Sequence, residues 1–268
     1  MKTPGNDPIT SERWPALSDR ERVRYARHLV LPSIGEAGQR KLKAARILVV
    51  GLGGLGSAST LYLAGAGVGT IGVVDDDVVT LTNLQRQILH GERMLDRPKA
   101  DSARRRLADL NRDIVIETHA ERFDRSSGRR LAAGYDLIVD GTDNFETRYA
   151  INDVCLDLGI PYVYGAIFRL EGQLSVLCIE RGPCYRCLFP DPPAAETVPT
   201  GEQAGILGAV PGTIGTLQAT EAIRCIVGFG APLVGRLLLY DAAAMRFEEV
   251  EIESNPACPS CRTSTRTS

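Results

Sequence analysis

Short apolar runs alternate along the first 160 residues with longer segments in which apolar positions recur at helical spacing. The runs that predict buried strands, because they are short and rich in branched residues, lie at 46–50, 70–75, 114–119 and 136–140. The helices predicted between and after them end near 67 and cover 98–111, 125–133 and 145–158. This fourfold alternation predicts a parallel sheet with helices on both faces.

The pattern changes after residue 160. Strands are predicted at 162–167 and 172–179, joined by a short turn and hence antiparallel, and again at 237–241 and 247–252. A helix is predicted at 213–227, and the proline-rich stretch 188–203 reads as an extended loop. The fold class predicted is therefore α/β, a Rossmann-like, mostly parallel sheet that antiparallel strands extend.

The polar ends of the chain lie outside this pattern. Ser18 and Glu21 have the spacing of a capping box, which predicts a helix from there to about residue 29, followed by another at 36–44. We therefore expect flexible tails at 1–17 and 262–268 around a single domain at 18–261.

Composition narrows the class of protein. The 268 residues are 44% hydrophobic and 24% charged with a net charge of -2, which fits a folded protein and offers no basic excess for nucleic acid. The uncharged stretch 47–74 holds eight glycines, so it does not read as a membrane helix. With no signal-like N-terminus, we expect a soluble, cytoplasmic protein.

A glycine-rich turn follows the first strand of the predicted sheet. Gly51, Gly53 and Gly56 match G-x-G-x-x-G between a strand and a helix, where glycines allow a tight turn and let backbone approach a phosphate. Asp75 ends the next strand, at the place where a carboxylate accepts from a ribose hydroxyl. The motif predicts a nucleotide site but does not choose between NAD and ATP; the alternative is a structural turn.

The polar residues that follow favour ATP. Asp143 follows a later strand and should face the same crevice, which the loop residues Asn83, Arg86 and Lys99 can reach. They supply cations for a polyphosphate and a carboxylate for Mg²⁺. An NAD(P)-dependent oxidoreductase would need a catalytic His or Lys, and the chain has only three His.

Two C-x-x-C pairs stand 70 residues apart: Cys184 with Cys187, and Cys258 with Cys261. Four thiolates are the ligand set of a closed, structural Zn²⁺ site. The alternative to a zinc site is that these cysteines are redox dithiols or unpaired reduced thiols. Cys155, Cys178 and Cys225 lie in apolar patterns and are expected to pack in the core.

The sequence resembles the MoeB/ThiF (HesA/MoeB/ThiF) family of ubiquitin-activating-enzyme-like adenylyltransferases over about 18–261. The segments that carry the resemblance are 24–28, 50–56, 75–79, 83–87, 98–99, 142–144, 183–187 and 255–261. The resemblance implies a ThiF-type adenylation domain, with a nucleotide-binding part at about 18–160 and a crossover loop at about 188–208.

The resemblance also implies a role for each matching residue. Gly54 and its neighbours would cradle the phosphates and Asp75 the ribose. Asp143 would coordinate Mg²⁺ beside Asn144, and Arg27 would reach into the site of the other subunit of a homodimer. The residues implied to bind and neutralise the triphosphate, with their neighbours in the same segment, are Asn83, Leu84, Gln85, Arg86 and Lys99. The four paired cysteines would bind zinc.

The reaction implied is ATP-dependent adenylation of the C-terminal Gly-Gly carboxylate of a small ubiquitin-fold sulfur-carrier protein, with release of pyrophosphate. Arg27, Arg86, Lys99 and Mg²⁺ would stabilise the charge that develops. The acyl-adenylate would then accept sulfur from a separate donor, since no sulfurtransferase segment follows Cys261.

One position departs from the family pattern. Several relatives carry a crossover-loop Cys where this chain has Gly201, so we expect adenylation without a nucleophile in that loop. The alternatives are a superfamily member that adenylates a tRNA-borne or small-molecule carboxylate, an NAD(P)-binding oxidoreductase and a non-catalytic adaptor. The charge balance and the two Cys pairs speak against the tRNA reading.

Overall fold

Eight strands form a single sheet in the computed structural model, which describes residues 14–179, 182–193 and 204–261. They are β1 (Arg46–Val50), β2 (Thr70–Val74), β3 (Val115–His119), β4 (Leu137–Asp140), β5 (Tyr162–Phe168), β6 (Glu171–Leu177), β7 (Arg236–Asp241) and β8 (Arg246–Glu251). Their order across the sheet is β3-β2-β1-β4-β5-β6-β7-β8. Strands β1 to β5 pair in parallel and β5 to β8 antiparallel, so the predicted fold class is confirmed.

The helices of the described part cover both faces of this sheet. They are α1 (Asp19–Arg24), α2 (Ala26–Leu29), α3 (Gly35–Ala44), α4 (Gly54–Ala66), α5 (Lys99–Leu110), α6 (Arg125–Ala132), α7 (Phe145–Leu158), α8 (Tyr185–Leu188) and α9 (Ala209–Val227), with 3₁₀ turns at Leu81–Asn83 and Glu92–Met94. None of the helices in the described ranges is long and apolar enough to cross a membrane.

Alternate residues of the central strands build two apolar layers. Ile47 and Val49 point to a core shared with α3, α4, α5 and α9, whereas Leu48 and Val50 point to a core shared with α6 and α7. Strands buried on both faces explain why each reads as a continuous apolar run.

The strand order reverses between β1 and β4. Sequential strands run outward from β1 through β2 to β3, and the chain then returns to place β4 on the other side of β1. In open α/β sheets, ligands bind at the carboxyl ends of the strands at such a switch point.

Some predicted boundaries move for local reasons. The capping box at Ser18 forms, but the helix that it begins is interrupted at Tyr25, which has φ -96° and ψ 15°. The helix predicted from 213 begins at Ala209, because Pro211 lies in its first turn, where its missing N–H costs nothing. Residues 1–13, 194–203 and 262–268, which include Gly201 and most of the predicted tails, lie outside the described residues.

Gly56 lies where α4 crosses the end of β1, and this contact yields a first prediction. A Cβ at Gly56 would lie 1.9 Å from the Gly51 carbonyl oxygen, so Gly56→Ala should cost about 3 kcal/mol of unfolding free energy or more. Gly65→Ala in the same helix is the control, because nothing lies within 4 Å of its Cβ position and alanine favours a helix. Equal melting temperatures for the two variants would contradict the packing argument.

Candidate active site

A cavity of about 820 Å³ opens at the carboxyl ends of β1, β2 and β4 and extends beside β5 and β6. This volume lies in the range of small-molecule sites. The sequence-predicted residues that line it are Gly51, Gly53, Gly54, Asp75, Asn83, Arg86, Lys99, Asp143 and Asn144. They come from the three strand-to-helix connections after β1, β2 and β4, including the first residues of α4 and α5, and the switch point gathers them at one edge of the sheet.

The glycine-rich turn forms the floor of the cavity. Gly51 has φ 88°, and a Cβ there would lie 2.8 Å from the Gly141 backbone. Gly53 precedes α4 in an extended conformation and no side chain caps the helix, so the N–H groups of its first turn remain for a ligand. The nearest atom to a Gly53 Cβ lies 3.8 Å away, and the turn is thus open on that side. Such a helix N-terminus suits a phosphate.

Asp75 and Lys99 form the wall at the end of β2. The Asp75 carboxylate accepts from the Leu52 N–H at 2.7 Å and from the Asp77 N–H at 2.9 Å. Burial raises the pKa of Asp75, and the nearby Lys99 ammonium opposes that rise. Lys99 Nζ donates to Asp77 Oδ2 at 2.8 Å and lies 3.9 Å from Asp75 Oδ1. The ammonium is therefore held inside the cavity by carboxylates.

The loop after β2 brings Asn83 and Arg86 to the cavity but not their two neighbours. The Asn83 carbonyl accepts from the Arg86 N–H at 3.1 Å, and Arg86 Nη1 donates to the Thr82 carbonyl at 3.2 Å. Leu84 and Gln85 do not line the cavity. The Gln85 carbonyl would lie 2.3 Å from a Cβ at Gly208, so this residue packs against the segment that leads into α9. Gly56 likewise lies beneath the cavity rather than in its wall.

Asp143 follows β4 and projects into the open part of the cavity. It is exposed, and no hydrogen bond or ion pair engages its carboxylate among the described residues. The neighbouring Asn144 caps α7, since its side chain accepts from the Thr147 N–H at 2.9 Å. A second carboxylate cluster, Asp75 to Asp77, could also hold a cation, but Asp75 and Asp77 already accept bonds within the chain. Asp143 is therefore the better candidate for Mg²⁺.

Arg27 is not brought to the cavity. It lies on α2, is exposed, and does not line the site of its own chain.

Two buried residues that line the cavity were missed from the sequence, Gln87 and Arg148. Gln87 lines the cavity at 4% exposure, and its Oε1 has no hydrogen-bond partner in the described structure. Arg148, at 7% exposure, donates to the Thr142 carbonyl at 3.0 Å, and its Nε lies 3.9 Å from Asp140 Oδ2. Burial raises the pKa of Asp140, and Arg148 opposes the rise. Arg148 follows Asn144 by one helical turn, and this spacing is the signal that could have found it.

The four paired cysteines converge beside this cavity. Their sulfurs are 3.8 Å apart between Cys184 and Cys187, 3.7 Å between Cys184 and Cys258, and 3.6 Å between Cys187 and Cys261. Tetrahedral Zn²⁺ with bonds of about 2.3 Å places sulfurs about 3.8 Å apart, whereas a disulfide needs about 2.05 Å. The four cysteines form no disulfide and fit a zinc site.

The cysteine cluster also supports a wall of the cavity. Tyr185, between Cys184 and Cys187, lines the cavity together with Phe189, and the two rings pack 5.0 Å apart. The Tyr185 N–H donates to Asn152 on α7 at 2.8 Å. Of the other cysteines, Cys155 and Cys178 are buried in the apolar core and Cys225 packs against it, as predicted.

Comparison with known proteins finds a matching family and close relatives of this chain. The ThiF family model matches residues 25–260. The chain is 49% identical over 238 residues to the SAMP-activating enzyme E1 of Haloferax volcanii, covering 89% of this chain and 88% of that protein. It is 44% identical to the sulfur carrier protein adenylyltransferase of Thermus thermophilus, covering 93% of each.

Longer relatives and a solved structure complete the comparison. The chain spans 63% and 56% of the length of two other curated relatives, at 47% and 48% identity. A crystal structure of E. coli MccB with MccA-N7isoASN superposes with a TM-score of 0.80 at 21% identity, covering 91% of this chain and 75% of that one. At this identity the likeness shows the fold alone.

Proposed function

The chain belongs to the ThiF family, and from that premise we propose that it adenylates the C-terminal Gly-Gly carboxylate of a small ubiquitin-like sulfur-carrier protein, using ATP and releasing pyrophosphate. The observation that carries the proposal is the cavity itself. It joins a phosphate-binding turn to Arg86, Lys99 and the carboxylate of Asp143, which no described residue engages. The names of two relatives, a sulfur carrier protein adenylyltransferase and a SAMP-activating enzyme E1, support the choice of a protein substrate.

ATP would lie along the edge of the sheet. The adenosine ribose would meet Asp75, and the phosphates would lie over the open side of Gly53 at the N-terminus of α4. Arg86 and Lys99 then face the triphosphate and neutralise it. Lys99 would exchange part of its contact with the exposed Asp77 for phosphate oxygens.

The chemistry needs positioning and charge more than a nucleophile. A carboxylate oxygen of the carrier attacks the α-phosphorus, and the bond to the bridging oxygen of pyrophosphate breaks. Negative charge grows on the departing oxygens, where Arg86 and Lys99 stabilise it. Asp143 would hold Mg²⁺, which supplies Lewis-acid stabilisation of the phosphoryl oxygens when bound.

The second half of the cavity suits an extended peptide end. Beyond the nucleotide part, its apolar and aromatic lining residues are Tyr164, Ile167, Phe168 and Phe189, and the charged Arg169 and Glu171 line it as well. A tail without side chains passes such walls with its carboxylate directed toward the α-phosphate. The choice among carrier proteins would thus depend on the width of the cavity, which favours glycine at the last two positions of the carrier.

Three further parts of the proposal concern the dimer, the zinc site and the source of sulfur. We infer a homodimer in which Arg27 enters the cavity of the other subunit, since it is exposed on α2 and Val23, Val30 and Tyr62 are exposed nearby at 59% or more. The four-cysteine cluster would hold structural Zn²⁺. The thiocarboxylate would form with sulfur from a separate donor.

ATP–pyrophosphate exchange tests the proposal. Labelled pyrophosphate should enter ATP only when a carrier with a free C-terminal Gly-Gly is present, because the acyl-adenylate must form before it can revert. A carrier that ends in Gly-Ala is the matched control and should reduce exchange at least tenfold. Exchange without any carrier, or none with every Gly-Gly carrier offered, would refute the carrier assignment.

A further inference from the structure

His90 lies buried beneath the glycine-rich turn and has no part in the site as described so far. It is 8% exposed and stands in the loop between β2 and α5, three residues after Gln87. Its Nε2 lies 3.1 Å from the carbonyl oxygen of Leu52, the residue between Gly51 and Gly53. Its Nδ1 lies 2.9 Å from the hydroxyl of Ser102 on α5. The imidazole therefore bridges the turn and a helix.

The partners of His90 determine where its proton sits. A carbonyl oxygen only accepts hydrogen bonds, so Nε2 carries the hydrogen and donates to Leu52. Burial lowers the pKa of His90 to about 4, and the Lys99 ammonium contributes in the same direction. The ring is consequently neutral near pH 7, and Nδ1 accepts from the Ser102 hydroxyl.

Leu52 is held from both sides of its backbone. Its N–H donates to Asp75 Oδ2 at 2.7 Å, while its carbonyl accepts from His90 and, more weakly, from the Ser57 hydroxyl at 3.4 Å. The adjoining Gly51 and Gly53 have no side chain to restrict their backbone rotation. The orientation of this part of the turn thus depends on the contacts made by Leu52.

The same helical turn of α5 serves both sides of the site. Ser102 follows Lys99 by three residues, and both side chains are buried. Lys99 reaches the carboxylates of Asp77 and Asp75, whereas Ser102 reaches His90. The start of α5 is in this way connected through His90 to the phosphate-binding turn.

We propose that His90 is a positioning residue for ATP: as a neutral imidazole it holds the Leu52 carbonyl and thereby keeps the N–H groups at the start of α4 directed at the phosphates. This inference rests on the proposed binding of ATP in the cavity. His90 touches no reacting atom, so its removal should weaken the binding of ATP in the ground and transition states alike.

Two variants of His90 separate hydrogen bonding from shape. His90→Phe keeps a ring of similar size without either hydrogen bond, and His90→Gln can still donate to the Leu52 carbonyl. We expect His90→Phe to raise the calorimetric Kd for Mg-ATP and the KM for ATP in pyrophosphate exchange about tenfold, with kcat lowered less than threefold. His90→Gln should stay within about threefold of the wild type. Affinity for the carrier protein should not change in either variant.

The outcomes distinguish this inference from the proposed function. Failure of the wild type to bind Mg-ATP would refute the nucleotide site itself. If the wild type binds Mg-ATP and His90→Phe has the same Kd, the role of His90 is overturned. A lower melting temperature would not rescue that role, because it would show only that His90 stabilises the fold. Equal weakening in His90→Gln and His90→Phe would overturn it as well.

Should His90→Phe not fold, Ser102→Ala replaces it. That variant leaves the ring in place but removes the donor that fixes its tautomer. A rise of about threefold in the KM for ATP, at unchanged kcat, is the supporting result, and an unchanged KM overturns the proposal.

Discussion

Asp143→Asn is expected to lower ATP–pyrophosphate exchange about a thousandfold while leaving the fold intact. Loss of Lewis-acid stabilisation worth several kcal/mol corresponds to about three factors of ten in rate. The substitution keeps the shape of the side chain but removes the charge that would hold Mg²⁺. Asp143 is exposed and has no hydrogen bond or ion pair to another described residue, so the melting temperature should remain within about 2 °C of the wild type.

A matched control exists on α7, the helix that follows Asp143. Asp157→Asn makes the same change of charge at an exposed position outside the cavity, and its exchange rate should equal that of the wild type. Asp76→Asn provides a further contrast, because Asp76 belongs to the other carboxylate cluster. If Mg²⁺ were held there, Asp76→Asn would reduce exchange and Asp143→Asn would not.

A magnesium titration makes the assignment more specific. In Asp143→Asn the concentration of Mg²⁺ that gives half-maximal exchange should rise well above that of the wild type. If Asp143→Asn reached the exchange rate of the wild type at the same magnesium concentration, the role given to Asp143 would be contradicted.

The parallel half of the sheet was predictable because each of its elements is encoded locally. The branched apolar runs such as 46–50 are buried on both faces, so they differ from the amphipathic helices around them. The sequence did not predict α8, since it is only four residues long and its position depends on the cysteine cluster. It also placed the start of α9 four residues late, because Pro211 in a first turn looks like a helix breaker.

The residues of the candidate site also differ in whether the sequence could place them. Residues at the ends of strands, such as Asp75 and Asp143, could be placed in one crevice because the carboxyl ends of parallel strands share an edge. Gln87 and His90 could not, because their burial comes from contacts between segments distant in sequence. Arg148 was missed although its spacing of one helical turn from Asn144 could have indicated it. The position of Leu84 and Gln85 outside the cavity depends on the side of the loop that meets Gly208, which spacing alone does not reveal. The role proposed for Arg27 requires a second chain, because Arg27 does not line the cavity of its own chain.

The spacing of the cysteines was enough to predict that the two pairs belong to one site. Two C-x-x-C turns predicted one metal site, although 70 residues separate them, because four thiolates complete a tetrahedron and two do not. The structure adds the consequence for function. Tyr185 lies between Cys184 and Cys187 in the chain, and both Tyr185 and Phe189 line the cavity.

Cys187→Ala is accordingly expected to abolish zinc binding and to lower the melting temperature by about 10 °C. A structural metal binds the folded state, so its loss removes the binding free energy that stabilises that state. In a domain of this size, each kcal/mol of unfolding free energy corresponds to about 2–4 °C in melting temperature. Zinc content by elemental analysis should fall from one ion per chain to nearly none. Cys225→Ala is the matched control, because its thiol lies outside the cluster and its loss should leave the zinc content unchanged.

The effect of Cys187→Ala on activity should be indirect and smaller than that of Asp143→Asn. Measured well below its melting temperature, the variant should retain binding of Mg-ATP but lose part of its exchange with the carrier, because Tyr185 and Phe189 line the half of the cavity assigned to the peptide end. Unchanged zinc content and stability in Cys187→Ala would refute the metal site. A wild-type protein whose mass is lower by two hydrogens per C-x-x-C pair, with no zinc, would instead establish redox dithiols.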